Sequence, residues 1–230
     1  MPTPAAALSV NEVFSSIQGE GTFIGAPTAF IRLAGCPLRC AWCDTAYALG
    51  ADTGTEREVD DLIAAVGAFR RVVITGGEPL VQDIGALVDG LAHGRHVTVE
   101  TSGTIFADLP RVSLFSISPK VGSSGYRPKP LILRKYCASA AGRMQLKFVI
   151  GGDLDLAEAL ACVQEISDAL AVGTPIILQP ESGKAGNGER YGSFLRDLTE
   201  AVVADAGWRP FEVRVLPQLH YVLWGGQAGR

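Results

Sequence analysis

This chain of 230 residues has no long apolar run, no surplus of basic residues and only three histidines. Glycine, proline or charge interrupts every hydrophobic stretch well short of the ~20 residues that span a bilayer, so we expect no transmembrane helix. The N-terminal Met-Pro-Thr-Pro-Ala-Ala-Ala has neither the basic nor the apolar region of a signal peptide. Lys and Arg total 20 against 24 Asp and Glu. With no basic stripe to neutralise phosphates, we expect neither nucleic acid nor membrane as a partner.

Cysteines are few and unevenly spread. Three of the five fall within eight consecutive positions, at Cys36, Cys40 and Cys43. Three thiolates so close together can ligate one soft metal centre and leave its fourth coordination position open. An odd number of cysteines in such a cluster is not typical of a disulfide framework.

The fourth ligand of a closed metal site is hard to find in this sequence. A zinc site would need a histidine, and His93, His96 and His220 are all remote from the cluster. A four-cysteine iron–sulfur centre would need Cys137 or Cys162, about a hundred residues downstream. We expect these two cysteines to be small buried residues, and His93 and His96 to lie in solvent-facing loops.

Segments of strand and helix character alternate along the chain, which predicts an α/β fold with a largely parallel sheet. Six or seven strands are too few for a closed eight-stranded barrel. We therefore expect a partial, open β/α barrel of about six parallel strands, formed by residues 1–230 as one domain with a C-terminal extension. Predicted strands are 28–34, 72–75, 97–100, 113–118, 146–150, 175–179 and 211–216.

Helices are predicted between these strands from the spacing of apolar residues. Their expected ranges are 56–69, 81–93, a segment through Cys137, 153–170 with Asp153 as N-cap, and 193–206 after a glycine-rich loop at 183–188. The segment Glu12–Gly21 is interpreted as a polar turn.

Polar clusters follow the carboxyl ends of successive predicted strands, where α/β folds place active sites. Five clusters at one edge of the sheet predict a single site. They are Cys36–Cys43, Thr75-Gly-Gly-Glu78, Glu100-Thr-Ser102, Ser118-Pro-Lys120 and Gln179-Pro-Glu181.

The cysteine segment resembles the signature of radical S-adenosylmethionine enzymes, Cys-x-x-x-Cys-x-aromatic-Cys, with Trp42 as the aromatic residue. The resemblance implies a 4Fe–4S cluster on Cys36, Cys40 and Cys43, whose fourth iron is chelated by S-adenosylmethionine. Reductive cleavage of that cofactor yields a 5′-deoxyadenosyl radical that takes a hydrogen atom from the substrate. An oxygen-sensitive cluster and free thiols favour the reducing cytoplasm.

Further motifs resemble the 7-carboxy-7-deazaguanine synthases. They are Phe-Ser-Ser-Ile-Gln-Gly-Glu-Gly, Cys-Asp-Thr, Ile-Thr-Gly-Gly-Glu-Pro, Val-Glu-Thr-Ser-Gly and Ser-Pro-Lys, with weaker likeness around Gln179 and His220. The implied reaction is the ring contraction of 6-carboxy-5,6,7,8-tetrahydropterin to 7-carboxy-7-deazaguanine with release of ammonia, in queuosine and deazapurine biosynthesis. The implied enzyme is a carbon–nitrogen lyase that regenerates S-adenosylmethionine.

The resemblance also implies roles for individual residues. The Thr45 hydroxyl would bind Mg²⁺. S-Adenosylmethionine would contact Trp42, Asp44, Gly77, Glu78, Ser118, Pro119, Lys120 and Gln179. The pterin would contact Ile17, Gln18, Gly19, Glu20, Arg32, Thr75, Glu100 and His220, with Arg32 suited to its carboxylate and Glu20 or Glu100 to its N–H edge.

Two other classes of protein share parts of these patterns. A glycyl-radical activating enzyme has the same three-cysteine site and acts on a protein partner. A non-catalytic iron–sulfur or zinc protein would use the cysteines for structure only. For the synthase, the family resemblance implies a homodimer and a flavodoxin-type or other electron donor. The C-terminal tail and Gly183–Tyr191 receive no role.

Overall fold

The computed structural model describes residues 7–185 and 188–225, which build one nine-stranded sheet flanked by helices. Residues 1–6, 186–187 and 226–230 lie outside this description, so the last part of the predicted C-terminal extension is not covered. The strands are β1 (Ala7–Ile17), β2 (Pro27–Leu33), β3 (Thr55–Glu58), β4 (Arg71–Gly76), β5 (His96–Thr101), β6 (Leu114–Ile117), β7 (Met144–Ile150), β8 (Pro175–Pro180) and β9 (Glu212–Val215).

Seven of these strands are parallel neighbours. The sheet order is β3-β1-β2-β4-β5-β6-β7-β8-β9, and every pair from β2 to β9 is parallel. β1 is antiparallel to both β2 and β3. The mostly parallel arrangement confirms the predicted α/β class and its partial, open β/α barrel. All seven residues of β7 are buried, as expected for a parallel strand covered on both faces.

The helices cover the sheet and connect its parallel strands. They are α1 (Val59–Ala65), α2 (Gly85–Leu91), α3 (Pro130–Ser139), α4 (Asp153–Glu165), α5 (Ser182–Ala185), α6 (Gly188–Ala204) and α7 (Leu219–Trp224). Within residues 7–185 and 188–225, no helix has both the length and the apolar character that crossing a membrane requires.

The prediction of a polar turn at Glu12–Gly21 was wrong for residues 12–17, whereas residues 18–21 leave the strand and begin a turn. β1 continues to Ile17 and pairs along β2, with Val13 opposite Ile31. The polar residues of this strand resemble a loop in sequence because much of the strand is only half-buried, although Leu8 and Val10 are buried.

The start of the first helix was also predicted wrongly. Residues 55–58, assigned in part to a helix from Glu56, form the short edge strand β3 against β1. Its charged side chains suit an exposed edge, since they discourage pairing with other chains. α1 therefore begins only at Val59.

Other helix boundaries differ in smaller ways. Gly152, not Asp153, occupies the N-cap position of α4 and makes no side-chain cap bond. α4 ends at Glu165 and α2 covers only part of its predicted range, whereas α6 begins at Gly188, before Ser193. Residues 183–185 and 188 of the predicted glycine-rich loop are helical, in α5 and α6, and residues 186–187 lie outside the description.

The core lies between the sheet and its covering helices. Phe115 and Tyr136 are fully buried there, with ring centroids 5.1 Å apart. Cys137 on α3 and Cys162 on α4 are each 4% exposed, which confirms that they are buried small residues. His93 is exposed as predicted, but His96 begins β5 and packs edge-to-face against Phe23 at 4.6 Å, so its assignment to a loop was wrong.

We expect Phe115→Ala to lower the free energy of unfolding by about 3–5 kcal/mol, because it opens a cavity beside Tyr136. Leu154→Ala, at a side chain that is 87% exposed on α4, serves as the control. It should change that free energy by no more than about 0.5 kcal/mol. Denaturant unfolding measures both, and equal effects would contradict the assignment of the core.

Candidate functional site

One cavity of about 430 Å³ lies at the carboxyl ends of the parallel strands and extends into the space that they enclose. Its size is typical of small-molecule sites, which range over about 300–1,000 Å³. Seventeen predicted site residues line it: Ile17, Gln18, Gly19, Glu20, Arg32, Cys36, Cys40, Trp42, Cys43, Asp44, Thr45, Thr75, Gly77, Glu100, Ser118, Lys120 and His220.

Three predicted site residues lie behind the cavity wall. Pro119 is buried, and Glu78 and Gln179 have no exposed surface. The Glu78 carboxylate accepts hydrogen bonds from Thr101 Oγ1 at 2.7 Å and Ser102 N at 2.8 Å, so it fixes the loop after β5. Direct contact of these three side chains with a cofactor stays a prediction.

The cysteine loop, residues 34–45, begins where β2 ends. Its three thiols are half-buried and line the same cavity, whereas Cys137 and Cys162 do not. Burial raises the pKa of the Cys36 and Cys40 thiols. Since metal ligation requires thiolates, iron binding would have to release these protons.

Gly77 allows the cysteine loop to approach β4 closely. A Cβ atom at this position would overlap the Gly35 carbonyl and lie 2.8 Å from Cys36 Cβ. Any side chain here would displace Cys36, which gives a steric reason for glycine beside the first cysteine.

Trp42 and Lys120 form the wall next to the cysteines. The indole Nε1 donates to Ser123 Oγ at 2.9 Å, and the Lys120 ammonium lies 5.3 Å from the centre of the Trp42 ring. Lys120 also donates to Ser118 Oγ at 3.1 Å. Burial lowers the pKa of Lys120. A cation and a flat ring thus adjoin the thiols, beside Asp44 and Thr45.

Arg32 also lines the cavity, among aromatic rings. Its Nε donates to Glu12 Oε1 at 2.7 Å, and the same oxygen accepts from Tyr47 OH at 2.9 Å. The guanidinium carbon lies 5.5 Å from the centre of the Phe14 ring and 5.8 Å from that of Tyr47. Because Glu12 bonds Nε, the fork of terminal N–H groups stays available for a carboxylate.

Three predicted substrate residues form a hydrogen-bonded chain. Gln18 Nε2 donates to Glu100 Oε1 at 3.0 Å, and Thr75 Oγ1 donates to Glu100 Oε2 at 3.1 Å. The backbone N–H of Glu20 donates to Gln18 Oε1 at 3.1 Å. An ionised carboxylate has about four acceptor positions, so Glu100 keeps two for a ligand.

Glu20 is held by three side-chain donors. Lys147 forms an ion pair with Oε2, while Gln179 and Gln218 donate to Oε1 at 2.7 and 2.6 Å. Burial alone would raise the pKa of Glu20, but Lys147 and His220 outweigh it and lower the pKa to about 2. Burial likewise opposes the charge on Lys147, yet Glu20 and Glu100 raise its pKa. Both groups are therefore charged at neutral pH.

His220 reaches the cavity from α7 by packing on Gly19. A side chain at Gly19 would overlap the imidazole, so only glycine permits this contact. The backbone N–H of Leu219 donates to the Gly19 carbonyl at 2.8 Å. The C-terminal segment and the loop after β1 therefore form one wall.

Sequence reasoning missed several cavity residues. Lys147 offered a signal, because it is the one charged residue in the otherwise uncharged strand Met-Gln-Leu-Lys-Phe-Val-Ile. Phe14 and Gln218 stand in segments that carry the family resemblance but received no role. Phe30 and Tyr47 gave no signal, since aromatic residues are ordinary at strand and loop positions.

The chain matches the Radical SAM superfamily over residues 30–168, more than half of its length. It is 35% identical to a 7-carboxy-7-deazaguanine synthase of Halobacterium salinarum, over 95% of this chain and 91% of that protein. It is 34% identical to one of Pyrobaculum aerophilum, over 96% of each.

A solved structure of a related protein has the same fold. The crystal structure of QueE from Escherichia coli superimposes with a TM-score of 0.66 at 29% sequence identity, covering 91% of this chain and 93% of that one. Residues 30–168, which match the superfamily, include the cysteine loop and the strands that carry most of the cavity wall. The chain therefore belongs to the 7-carboxy-7-deazaguanine synthase family, within the radical SAM superfamily.

Proposed function

We propose that this protein converts 6-carboxy-5,6,7,8-tetrahydropterin to 7-carboxy-7-deazaguanine with release of ammonia, as a carbon–nitrogen lyase in queuosine and deazapurine biosynthesis. The observation that carries the proposal is a single cavity that unites the three cysteines with Arg32 and the Glu20 and Glu100 carboxylates. Family membership supplies the reaction, and the cavity supplies groups of the right chemistry for a charged, N–H-rich ring.

The cysteines suit a 4Fe–4S cluster with S-adenosylmethionine. Cys36, Cys40 and Cys43 would supply three thiolates and leave one iron for the cofactor. Bound there, the pair supplies the one-electron chemistry that generates the hydrogen-abstracting radical. Trp42, Asp44, Gly77, Ser118 and Lys120 line the cavity next to the thiols, so they would hold the cofactor.

The cavity wall that carries Glu20, Glu100 and Arg32 suits the pterin. Glu100 has acceptor positions left for the N–H donors of an aminopyrimidinone, and Glu20 has one. Gln18 and Thr75 fix Glu100, and the Arg32 fork would receive the substrate carboxylate. Ile17, Gly19 and His220 complete this wall.

Thr45 would help to hold Mg²⁺ in this cavity. The Thr45 hydroxyl lies on the cavity wall, 3.8 Å from Cys43 Sγ. Hard oxygen donors, waters and substrate oxygens are the ligands that Mg²⁺ prefers.

The domain organisation, compartment and partners of the protein are proposed from its family and its structure. We propose that residues 1–230 act as one domain in a cytoplasmic homodimer, reduced by a flavodoxin-type or other donor, without nucleic acid or membrane as partner. The continuous sheet from β3 to β9 supports one domain, and the free thiols support a reducing compartment.

The decisive experiment is an anaerobic assay of the reconstituted, reduced protein with S-adenosylmethionine, Mg²⁺ and the carboxylated pterin. We expect deazaguanine and ammonia with substoichiometric loss of S-adenosylmethionine, and neither product from Cys36→Ala. Cofactor cleavage without deazaguanine would refute the proposed substrate. Protein with a full cluster that forms no product at all would refute the enzymatic assignment.

Arg32→Ala should raise KM for the pterin about 10- to 100-fold, because a charge-assisted bidentate contact is lost. Cluster content and substrate-free cofactor cleavage should be unchanged. Arg134→Ala removes a guanidinium that bonds the exposed Asp168 carboxylate and the Glu165 carbonyl and does not line the cavity, and it should leave KM as in the wild type. An unaltered KM in Arg32→Ala would remove this residue from the site.

Thr45→Ala should weaken the Mg²⁺ dependence of turnover, since it removes the proposed hydroxyl ligand. We expect the Mg²⁺ concentration for half-maximal rate to rise about tenfold, with cluster iron unchanged. Thr53→Ala, at a hydroxyl that bonds the Gly50 carbonyl, is the control. If both variants respond to Mg²⁺ like the wild type, the metal binds elsewhere.

Glu20→Gln should destabilise the protein by about 3 kcal/mol at pH 7. The folded pKa of about 2 lies below the ordinary 4.5, so the stabilisation is complete above pH 4.5 and disappears as pH falls towards 2. The difference between wild type and variant should therefore shrink in acid. Denaturant unfolding at pH 7 and pH 3 tests this.

The double variant Glu20→Gln/Lys147→Met provides the control for that measurement. It removes both charges together, so it should be more stable than either single variant. Additive losses, or a difference that does not depend on pH, would contradict the ion pair.

A further inference from the structure

The cysteine loop is irregular. Near its start, Gly35 N and Cys36 N donate to the Ala48 and Leu49 carbonyls at 2.9 and 3.1 Å, and a second loop supports the part around Cys40 and Cys43. This bracing loop, residues 121–127, follows β6 and Lys120. Within the cysteine loop, Cys43 N donates to the Cys40 carbonyl at 3.2 Å and Leu38 N donates to Cys36 Sγ at 3.4 Å. Arg39 Nη1 donates to the Cys36 and Leu38 carbonyls at 2.7 Å. A loop with so few internal bonds needs partners outside itself to hold three ligands in place.

Three hydrogen bonds join the two loops. Arg39 N donates to Tyr126 OH at 2.8 Å, and Ala41 N donates to the Ser124 carbonyl at 3.1 Å. Trp42 Nε1 donates to Ser123 Oγ at 2.9 Å. These bonds fall at 39, 41 and 42, on both sides of Cys40 and directly before Cys43.

The bracing loop is held in turn by two carboxylates of α4. Asp155, only 4% exposed, accepts from Ser123 N at 2.9 Å and from Gly151 N at 2.7 Å. Glu158 accepts from Gly122 N at 2.5 Å and pairs with Arg127 Nε at 2.8 Å. Carboxylate bonds to backbone N–H groups are about twice as strong as neutral ones.

We propose that Asp155 and Glu158 are positioning residues of the iron–sulfur site, which act through the bracing loop on the segment that contains Cys40 and Cys43. Neither residue lines the cavity. Asp155 bonds the backbone of Ser123, whose hydroxyl bonds Trp42, so a single residue separates the buried carboxylate from the cysteine loop. This inference concerns the cluster alone and does not depend on which substrate is bound.

The test compares Asp155→Asn and Glu158→Gln with Asp153→Asn. Asp153 lies in the first turn of the same helix and is exposed, so its variant makes the same change of charge away from the bracing loop. Asp155→Asn keeps one oxygen but turns an NH₂ group towards an N–H donor, which breaks one of its two bonds.

Each variant is reconstituted anaerobically, and iron loss to a chelator is followed without S-adenosylmethionine or substrate. We expect Asp155→Asn and Glu158→Gln to lose iron about 5- to 30-fold faster than the wild type, the effect of one broken buried hydrogen bond. Asp153→Asn should match the wild type. The reduction potential of the cluster should also shift in the first two variants only, since it responds to the placement of groups around the sulfurs.

The route through Ser123 is tested separately. Trp42→Phe removes the indole donor and keeps an aromatic ring, and its effect on iron loss should not add to that of Asp155→Asn. Should Asp155→Asn fail to fold, Glu158→Gln, on a side chain that is 24% exposed, provides the same measurement. The proposal would be overturned if Glu158→Gln, and Asp155→Asn where it folds, showed the same iron loss and reduction potential as Asp153→Asn. This holds whatever the outcome of the pterin assay.

Discussion

A carboxylate inside a β/α barrel must be compensated, and the Glu20 ion pair with Lys147 meets that requirement here. Both side chains are about nine-tenths buried, a setting in which an unpaired charge would be very costly. Gln179 and Gln218 add two further donors, so the carboxylate has one orientation. Through these partners, β7, β8 and the segment before α7 converge on the loop after β1. This convergence forms the polar wall of the cavity.

The cysteine side of the cavity follows a different physical rule. Its three thiols stand on irregular backbone, which supplies little rigidity of its own, and the surrounding elements position it. Gly77 lets β4 approach from one side, and the bracing loop supports it from the other. The cysteine loop and the charge-compensated wall thus line the same cavity. Chemistry at one substrate carbon requires such a fixed placement of the reacting groups.

The parallel part of the fold could be predicted because its cause is local. Strands such as β4 and β8 are short apolar runs, and the polar clusters behind them mark the edge where a site forms. β1 and β3 could not be predicted in this way. The polar alternation of β1 resembles a turn, and β3 exists only because β1 lies beside it. Both strands depend on a partner and have no strong propensity of their own.

The same distinction separates the site residues that the sequence predicts from those that it does not. Cys36, Glu100 and Ser118 stand in short motifs whose spacing carries their meaning. Lys147 has no such motif and Gln218 stands only in the weaker likeness around His220, and their roles come from Glu20, at separations of 127 and 198 residues. A contact of that span leaves no local pattern, so the charge-compensating half of the cavity became visible only in three dimensions.

The contact between the loop after β1 and the segment before α7 has a consequence for synthesis of the protein. A ribosome delivers the N-terminal part of a chain first. Glu20, Gly19 and the cysteine loop therefore emerge long before Gln218 and His220, the partners that complete their wall. A nascent chain can display its thiols early, but its substrate chamber closes only after residues 218–220 have been made. Order of synthesis thus exposes the cysteines first and completes the wall that contacts the substrate later.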